Sequence, residues 1–135
     1  MAAFEELSSR AMRLFKIDCR FDSELDDLPI EDDRAIHVYR IVQEAISNSV
    51  RHGKAKNVRI AAATEDGRIV MSVTDDGSGL SAKTVAHPGL GLRIMQYRAN
   101  LIGAELHVAR ASEQGGTIVS CALPRANAED GHDRN

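Results

Sequence analysis

The 135 residues contain no tryptophan, and tyrosine and phenylalanine bring the aromatic share to only 4%. A stacking platform for single-stranded nucleic acid needs several rings, so composition argues against that ligand. A basic excess is also missing. Lys and Arg number 17 against 20 Asp and Glu, leaving a net charge of -3. Nucleic acid is therefore not expected as a partner, and any anionic ligand must be held by local groups. There are two cysteines, Cys19 and Cys121, in no metal or redox spacing. They read as reduced, buried thiols of a cytoplasmic protein. No apolar run approaches the roughly 18 residues of a membrane span, and no secretory leader pattern is seen. Membrane contact is not expected of this segment.

What is present is ordinary for a globular domain: 43% hydrophobic and 27% charged residues. The length fits one domain with a single core. Ala2 to Phe15 reads as a helix, with Leu7, Ala11, Leu14 and Phe15 at helical spacing. Ile17 to Asp22 alternates like a half-buried strand, and Ser23 to Ile30 is an acidic loop. The strongest helix runs from Glu31 to His52. Acidic residues stand at its dipole-favoured N-terminus, and Ala35, Val38, Val42, Ala45, Ile46 and Val50 form an apolar face. Gly53 stands at its expected C′ position. Asn57–Thr64 and Arg68–Thr74 flank an Asp-Gly turn and form an antiparallel hairpin. Asp75 to Pro88 reads as a loop. Gly89 to Ile102 is a second good helix, with Ile94, Met95, Leu101 and Ile102 apolar. Ala104–Ala111 and Thr117–Leu123 are strands joined by a turn at 113–116. The polar stretch 125–135 is expected to be disordered. Hairpins at two places, without regular βαβ alternation, imply an α+β fold: a two-layer α/β sandwich, its mixed, mostly antiparallel sheet covered by helices on one face.

Four features could carry chemistry. Glu44, Asn48 and His52 are spaced by four and share one helical stripe, with Arg51 beside it. Asn is a poor helix-interior residue, so Asn48 asks for a reason. An amide oxygen, a carboxylate and cations in one stripe could hold a hydrated Mg²⁺ and phosphate oxygens, or could be a solvated polar ladder. Asp75-Asp76-Gly77-Ser78-Gly79 places a carboxylate at a strand end before glycines that let a ligand approach the backbone, unless it is a plain turn. Gly89-Leu90-Gly91-Leu92 opens a helix whose free N–H groups suit an anion. Gly115-Gly116-Thr117 is by itself only a hairpin turn. No P-loop or dinucleotide fingerprint is present, and the histidines share no metal spacing.

In their order and spacing, these four motifs resemble the nucleotide-binding domain of sensor histidine kinases, whose wider group includes gyrase, the Hsp90 chaperones and the mismatch-repair ATPases. The run Val38-Tyr39-Arg40-Ile41-Val42-Gln43-Glu44-Ala45, with Arg51-His52 and Ala55 after it, looks most like the nitrate-sensor and sugar-phosphate-sensor branch. The resemblance implies the Bergerat ATP-binding fold and ATP with Mg²⁺ as cofactors. It makes Asn48 the Mg²⁺ ligand and Glu44 the general base or phosphate-orienting group. Arg51 and His52 would lie near the phosphates. Asp75 would accept from the adenine amino group, with Gly77 and Gly79 giving room for the base. Gly89 and Gly91 would flank the phosphates at the end of a short lid, about Leu80 to Pro88, and Thr117 would help close the adenine pocket.

The implied activity is transfer of the γ-phosphoryl group to a histidine on a separate dimerising helical domain, for relay to a response regulator. In this branch that histidine is followed by an acidic residue, and here only His132 is. Residues 1–16 would be the connection to that domain, 17–124 the ATP-binding domain and 125–135 a tail. The parent protein could be membrane-anchored. Two alternatives share the nucleotide fold: a serine kinase that inhibits a sigma factor, and a non-catalytic module that binds nucleotide or a partner.

Overall fold

In the computed structural model, the described residues are 1–79 and 89–124. Short alternating segments form a five-stranded sheet. Its strands are β1 (Asp18–Ser23), β2 (Asn57–Glu65), β3 (Arg68–Asp75), β4 (Glu105–Ser112) and β5 (Gly115–Ala122), in the order β1-β2-β3-β5-β4. β1 runs parallel to β2 and every other pair is antiparallel, so the sheet is mixed as expected. Because successive strand side chains point to opposite faces, one row across the sheet shares a side. Ile60, Val73, Val119 and Val108 form such a row, as do Ala62, Met71, Cys121 and Leu106. Most of these residues are buried, and together they form the core face.

Three helices lie among the described residues: α1 (Ala2–Phe15), α2 (Asp32–Arg51) and α3 (Leu90–Leu101). α2 begins after Glu31 with Asp32 and Asp33 in its first turn, where the dipole favours them. It rests on β3, between α1 and α3. Its buried face is Val38, Ile41, Val42, Ala45, Ile46 and Ser49, so Val50 turns partly outward and a serine joins the core side. At its end Gly53 is not the left-handed residue; Lys54 is, with φ 54°. Gly53 is small for another reason: an added Cβ would lie 2.9 Å from the Ser49 carbonyl oxygen.

Other helix faces differ from expectation. In α1 the buried residues are Phe4, Leu7, Ser8 and Ala11, while Leu14 is 66% exposed. The sheet contact ends before the last turn, and Lys16 leaves the helix in the left-handed conformation with φ 56°. In α3, Met95 and Ala99 are buried, whereas Leu101 faces outward and Ile94 is 37% exposed. The β4–β5 loop is also tighter than 113–116, because Ser112 already pairs with Gly115 and only Glu113 and Gln114 turn. Both cysteines are free and buried, as read from sequence. Burial pushes the Cys121 thiol up to about 11 and raises Cys19 as well. Among the described residues no helix is long and apolar enough to cross a membrane. The lid segment and the tail lie outside the described residues.

Candidate functional site

β3 is the central strand, and its last residue, Asp75, pairs with Val58 on one side and Thr117 on the other. Its side chain points to the core face and is only 7% exposed. A carboxylate in that position needs donors. Oδ1 accepts from the Gly77 amide at 2.8 Å and the Thr117 amide at 3.3 Å. Oδ2 accepts from the buried Ser49 hydroxyl on α2 at 2.6 Å. The next residue, Asp76, points the other way, as strand alternation requires. Its Oδ1 takes the amides of Lys56 and Asn57, both at 2.9 Å, and its Oδ2 takes Asn57 Nδ2 at 2.7 Å. The Asn57 side chain foremost, with these amides, holds the Asp76 carboxyl below its usual value. Asp76 thus fastens the loop between α2 and β2 and belongs to the scaffold.

The glycines form a backbone junction behind Asp75. Ser78 N–H donates to the Gly53 carbonyl at 2.8 Å, and Gly116 N–H donates to the Gly77 carbonyl at 3.0 Å. A Cβ on Gly77 would come within 2.4 Å of the Gly53 carbonyl oxygen, and one on Gly116 within 2.3 Å of the Asp75 carbonyl oxygen. These approaches require glycine here, and at Gly116 the positive φ of 82° requires it as well. Gly79 meets the same junction at positive φ.

The α2 stripe is assembled as its spacing implies. Arg51 Nη2 lies 3.6 Å from Glu44 Oε2. The start of α3 sits directly on this stripe. An added Cβ on Gly91 would be 2.6 Å from Glu44 Oε2 and 2.9 Å from both terminal atoms of Asn48. Gly89 is the N-cap residue of α3 and, having no side chain, cannot cap the helix itself. The positive end of the α3 dipole thus faces Glu44 and Asn48. An added Cβ on Gly89 would meet nothing within 4 Å.

One cavity of about 820 Å³ joins the two ends. Every candidate residue but Gly77 lines it: Glu44, Asn48, Arg51, His52, Asp75, Gly79, Gly89, Gly91 and Thr117. Gly77 lies at the junction just behind. The walls between are apolar, from Ala45, Leu92, Ile94, Val108 and Val119. Sequence reasoning missed these walls, together with Ser49 and Gly53. For Ser49 a signal existed: a polar residue at i+4 from Ala45, on the apolar side of the helix. Among the described residues no three His, Cys, Asp or Glu converge as a metal cage.

Residues 33–127 match the family of histidine kinase-, DNA gyrase B- and HSP90-like ATPases. The chain belongs to this ATPase family. Among its relatives, the nitrate/nitrite sensor protein NarX of Escherichia coli (strain K12) is 27% identical over 129 residues, covering 96% of this chain and 21% of NarX. The sensor protein VraS of Staphylococcus aureus (strain COL) is 30% identical over 118 residues, covering 87% of this chain and 33% of VraS. The chain thus spans a fifth to a third of the relatives it matches. In fold it is similar to the ATP-binding domain of PrrB from Mycobacterium tuberculosis, with a TM-score of 0.71 at 23% identity over 92% of both chains. It is also similar to the histidine kinase domain of the blue-light activated kinase of Erythrobacter litoralis EL346. There the TM-score is 0.75 at 22% identity, over 93% of this chain and 65% of that one. Family and fold agree with the α+β sandwich and the ATPase resemblance read from the motifs.

Proposed function

We propose that this chain is the ATP-binding catalytic domain of a sensor histidine kinase. It binds Mg-ATP and donates the γ-phosphoryl group to a histidine on a helical dimerisation and phospho-acceptor domain, for relay to a response regulator in the cytoplasm. The observation that carries this is a cavity with two chemically distinct ends. At one end Asp75, Thr117 and the glycine junction offer a fixed acceptor and little bulk, suited to the edge of an adenine ring. The apolar walls suit its faces. At the other end Glu44 and Asn48 meet the start of α3, and Arg51 and His52 line the same cavity, a set suited to phosphates. A volume of about 820 Å³ is ample for a nucleotide.

The donor set fits Mg²⁺. That ion keeps several waters and takes phosphate oxygens, so it does not need a full protein cage. The Asn48 amide oxygen would hold it, and when bound it would neutralise charge on the phosphates. Glu44 would orient or deprotonate a group at that end, and Arg51 and His52 would donate to phosphate oxygens. Gly89 and Gly91 let phosphates come close to the helix start. Residues 1–16 would lead to the acceptor domain.

Calorimetric titration of Asn48→Ala with Mg-ATP, alongside phosphoryl transfer to an added acceptor domain, tests this. Affinity or transfer should fall at least about tenfold, as expected for loss of a metal ligand. Unchanged affinity together with unchanged transfer would overturn the assignment. The phosphorylated product should be acid-labile, as phosphohistidine is. An acid-stable product would point to the anti-sigma-factor type of serine kinase, and absence of transfer with intact binding to a non-catalytic module.

A further inference from the structure

We infer that Ser49 sets base selectivity: it fixes the Asp75 carboxylate so that one oxygen stays available to a purine 6-amino group. The inference rests on the nucleotide site proposed above and adds a residue to its base end. Ser49 is 6% exposed and lies within α2, one residue from Asn48. A helical serine can satisfy itself on the carbonyl four residues back, and here the Ala45 oxygen is 2.9 Å away. The hydroxyl has one proton, however, and Asp75 Oδ2 is closer at 2.6 Å. A charge-assisted bond to the carboxylate is the stronger use of that proton.

The lone pairs then decide what the base can find. Each carboxylate oxygen accepts in about two directions. Those of Oδ1 are taken by the amides of Gly77 and Thr117. Oδ2 has one protein donor among the described residues, Ser49, which leaves one direction open on a residue that lines the cavity. Without the hydroxyl, Oδ2 has no protein donor and its side of the carboxylate is free to turn. A water in the vacated place can both donate and accept. It would serve bases with or without an amino group, so discrimination falls. Ser49 also ties the base end to the helix that carries Asn48, keeping the two ends of the site in register.

The test compares Mg-ATP with Mg-purine riboside 5′-triphosphate, which lacks the 6-amino group, by titration calorimetry. The wild type should prefer ATP by at least about tenfold, because a site built to accept a hydrogen bond rejects an analogue that cannot donate it. Ser49→Ala should weaken ATP about tenfold and leave the riboside triphosphate within about twofold. Ser49→Thr, which keeps a hydroxyl, should restore most of the preference. Equal weakening of both nucleotides would make Ser49 merely structural and overturn the inference. A preference that survives Ser49→Ala overturns the role of Ser49 alone. A wild type that binds both nucleotides alike overturns the assignment of Asp75, and the role of Ser49 with it.

Discussion

Gly91→Ala separates the stability of this domain from its site. The added Cβ would lie 2.6 Å from Glu44 Oε2 and 2.9 Å from Asn48 Oδ1 and Nδ2. Restoring an ordinary contact of about 3.4 Å means that Glu44 Oε2 retreats by about 0.8 Å and the Asn48 amide by about 0.5 Å. α3 itself cannot easily yield. Met95 and Ala99 are fully buried beneath it, and Arg98 Nη1 meets His37 Nδ1 of α2 at 3.1 Å. The two side chains therefore move. An off-rotamer Asn48 costs about 0.5–1.5 kcal/mol. Disturbing the partly exposed Arg51–Glu44 pair costs under about 1 kcal/mol. Against this, alanine is favoured over glycine in a helix by up to about 1 kcal/mol. The terms nearly cancel, so the melting temperature should stay within a few degrees. Binding has no such compensation. Mg²⁺ demands near-ideal octahedral geometry, and a shift of about 0.5 Å at its proposed ligand spoils it. Mg-ATP affinity should fall about tenfold and phosphoryl transfer further, since displacement by about 1 Å can cost a hundredfold. Differential scanning fluorimetry and calorimetric titration on the same sample give both numbers. Wild-type affinity and transfer in the folded variant would refute the placement of the ion and phosphates between Asn48 and the start of α3.

The junction glycines should divide sharply. Gly116→Ala puts a Cβ 2.3 Å from the Asp75 carbonyl oxygen at φ 82° and should cost about 3 kcal/mol or more in denaturant unfolding, whereas Gly89→Ala meets nothing within 4 Å and should cost no more than about 1 kcal/mol, the handicap of alanine at an N-cap. A mild effect at Gly116 would mean that the junction can open to admit a side chain. The carboxyl of Asp76 is held below its ordinary value of 3.8, so its contribution to stability is full above that value and is lost as pH falls through the depressed one. Asp76→Asn keeps an acceptor for the two backbone amides but no longer titrates. Its stability should fall less steeply below about pH 4, by under about 1 kcal/mol because the group is exposed, with nucleotide affinity unchanged. An identical acid limb, read by unfolding at a series of pH values, would contradict that role.

What was legible in the sequence was what depends on local periodicity. The spacing of Glu44, Asn48 and His52 by four fixes their common stripe whatever α2 packs against. The same alternation carried one residue past β3 turns Asp75 to the core face and Asp76 away from it, onto the amides of Lys56 and Asn57. Leu14 and Phe15 escaped because periodicity says which residues share a face but not where the neighbouring layer stops. Ser49 was visible as a polar residue on an apolar face, yet its partner lies 26 residues away and is reached only through the packing of α2 on β3. The glycines show the same limit. Gly77 and Gly116 announce a tight backbone, but that they are tight against Gly53 and Asp75 follows from sheet order. With β3 central, its C-terminal end has β5 on one side and the end of α2 above it. Asp75, Thr117 and Ser49 therefore meet at one point although they come from three separate segments. The motif order seen in the sequence is thus the order in which the chain visits a single cavity. The residues that connect those visits, Ser49 and Gly53 among them, carry weak motif signals because their constraint is tertiary.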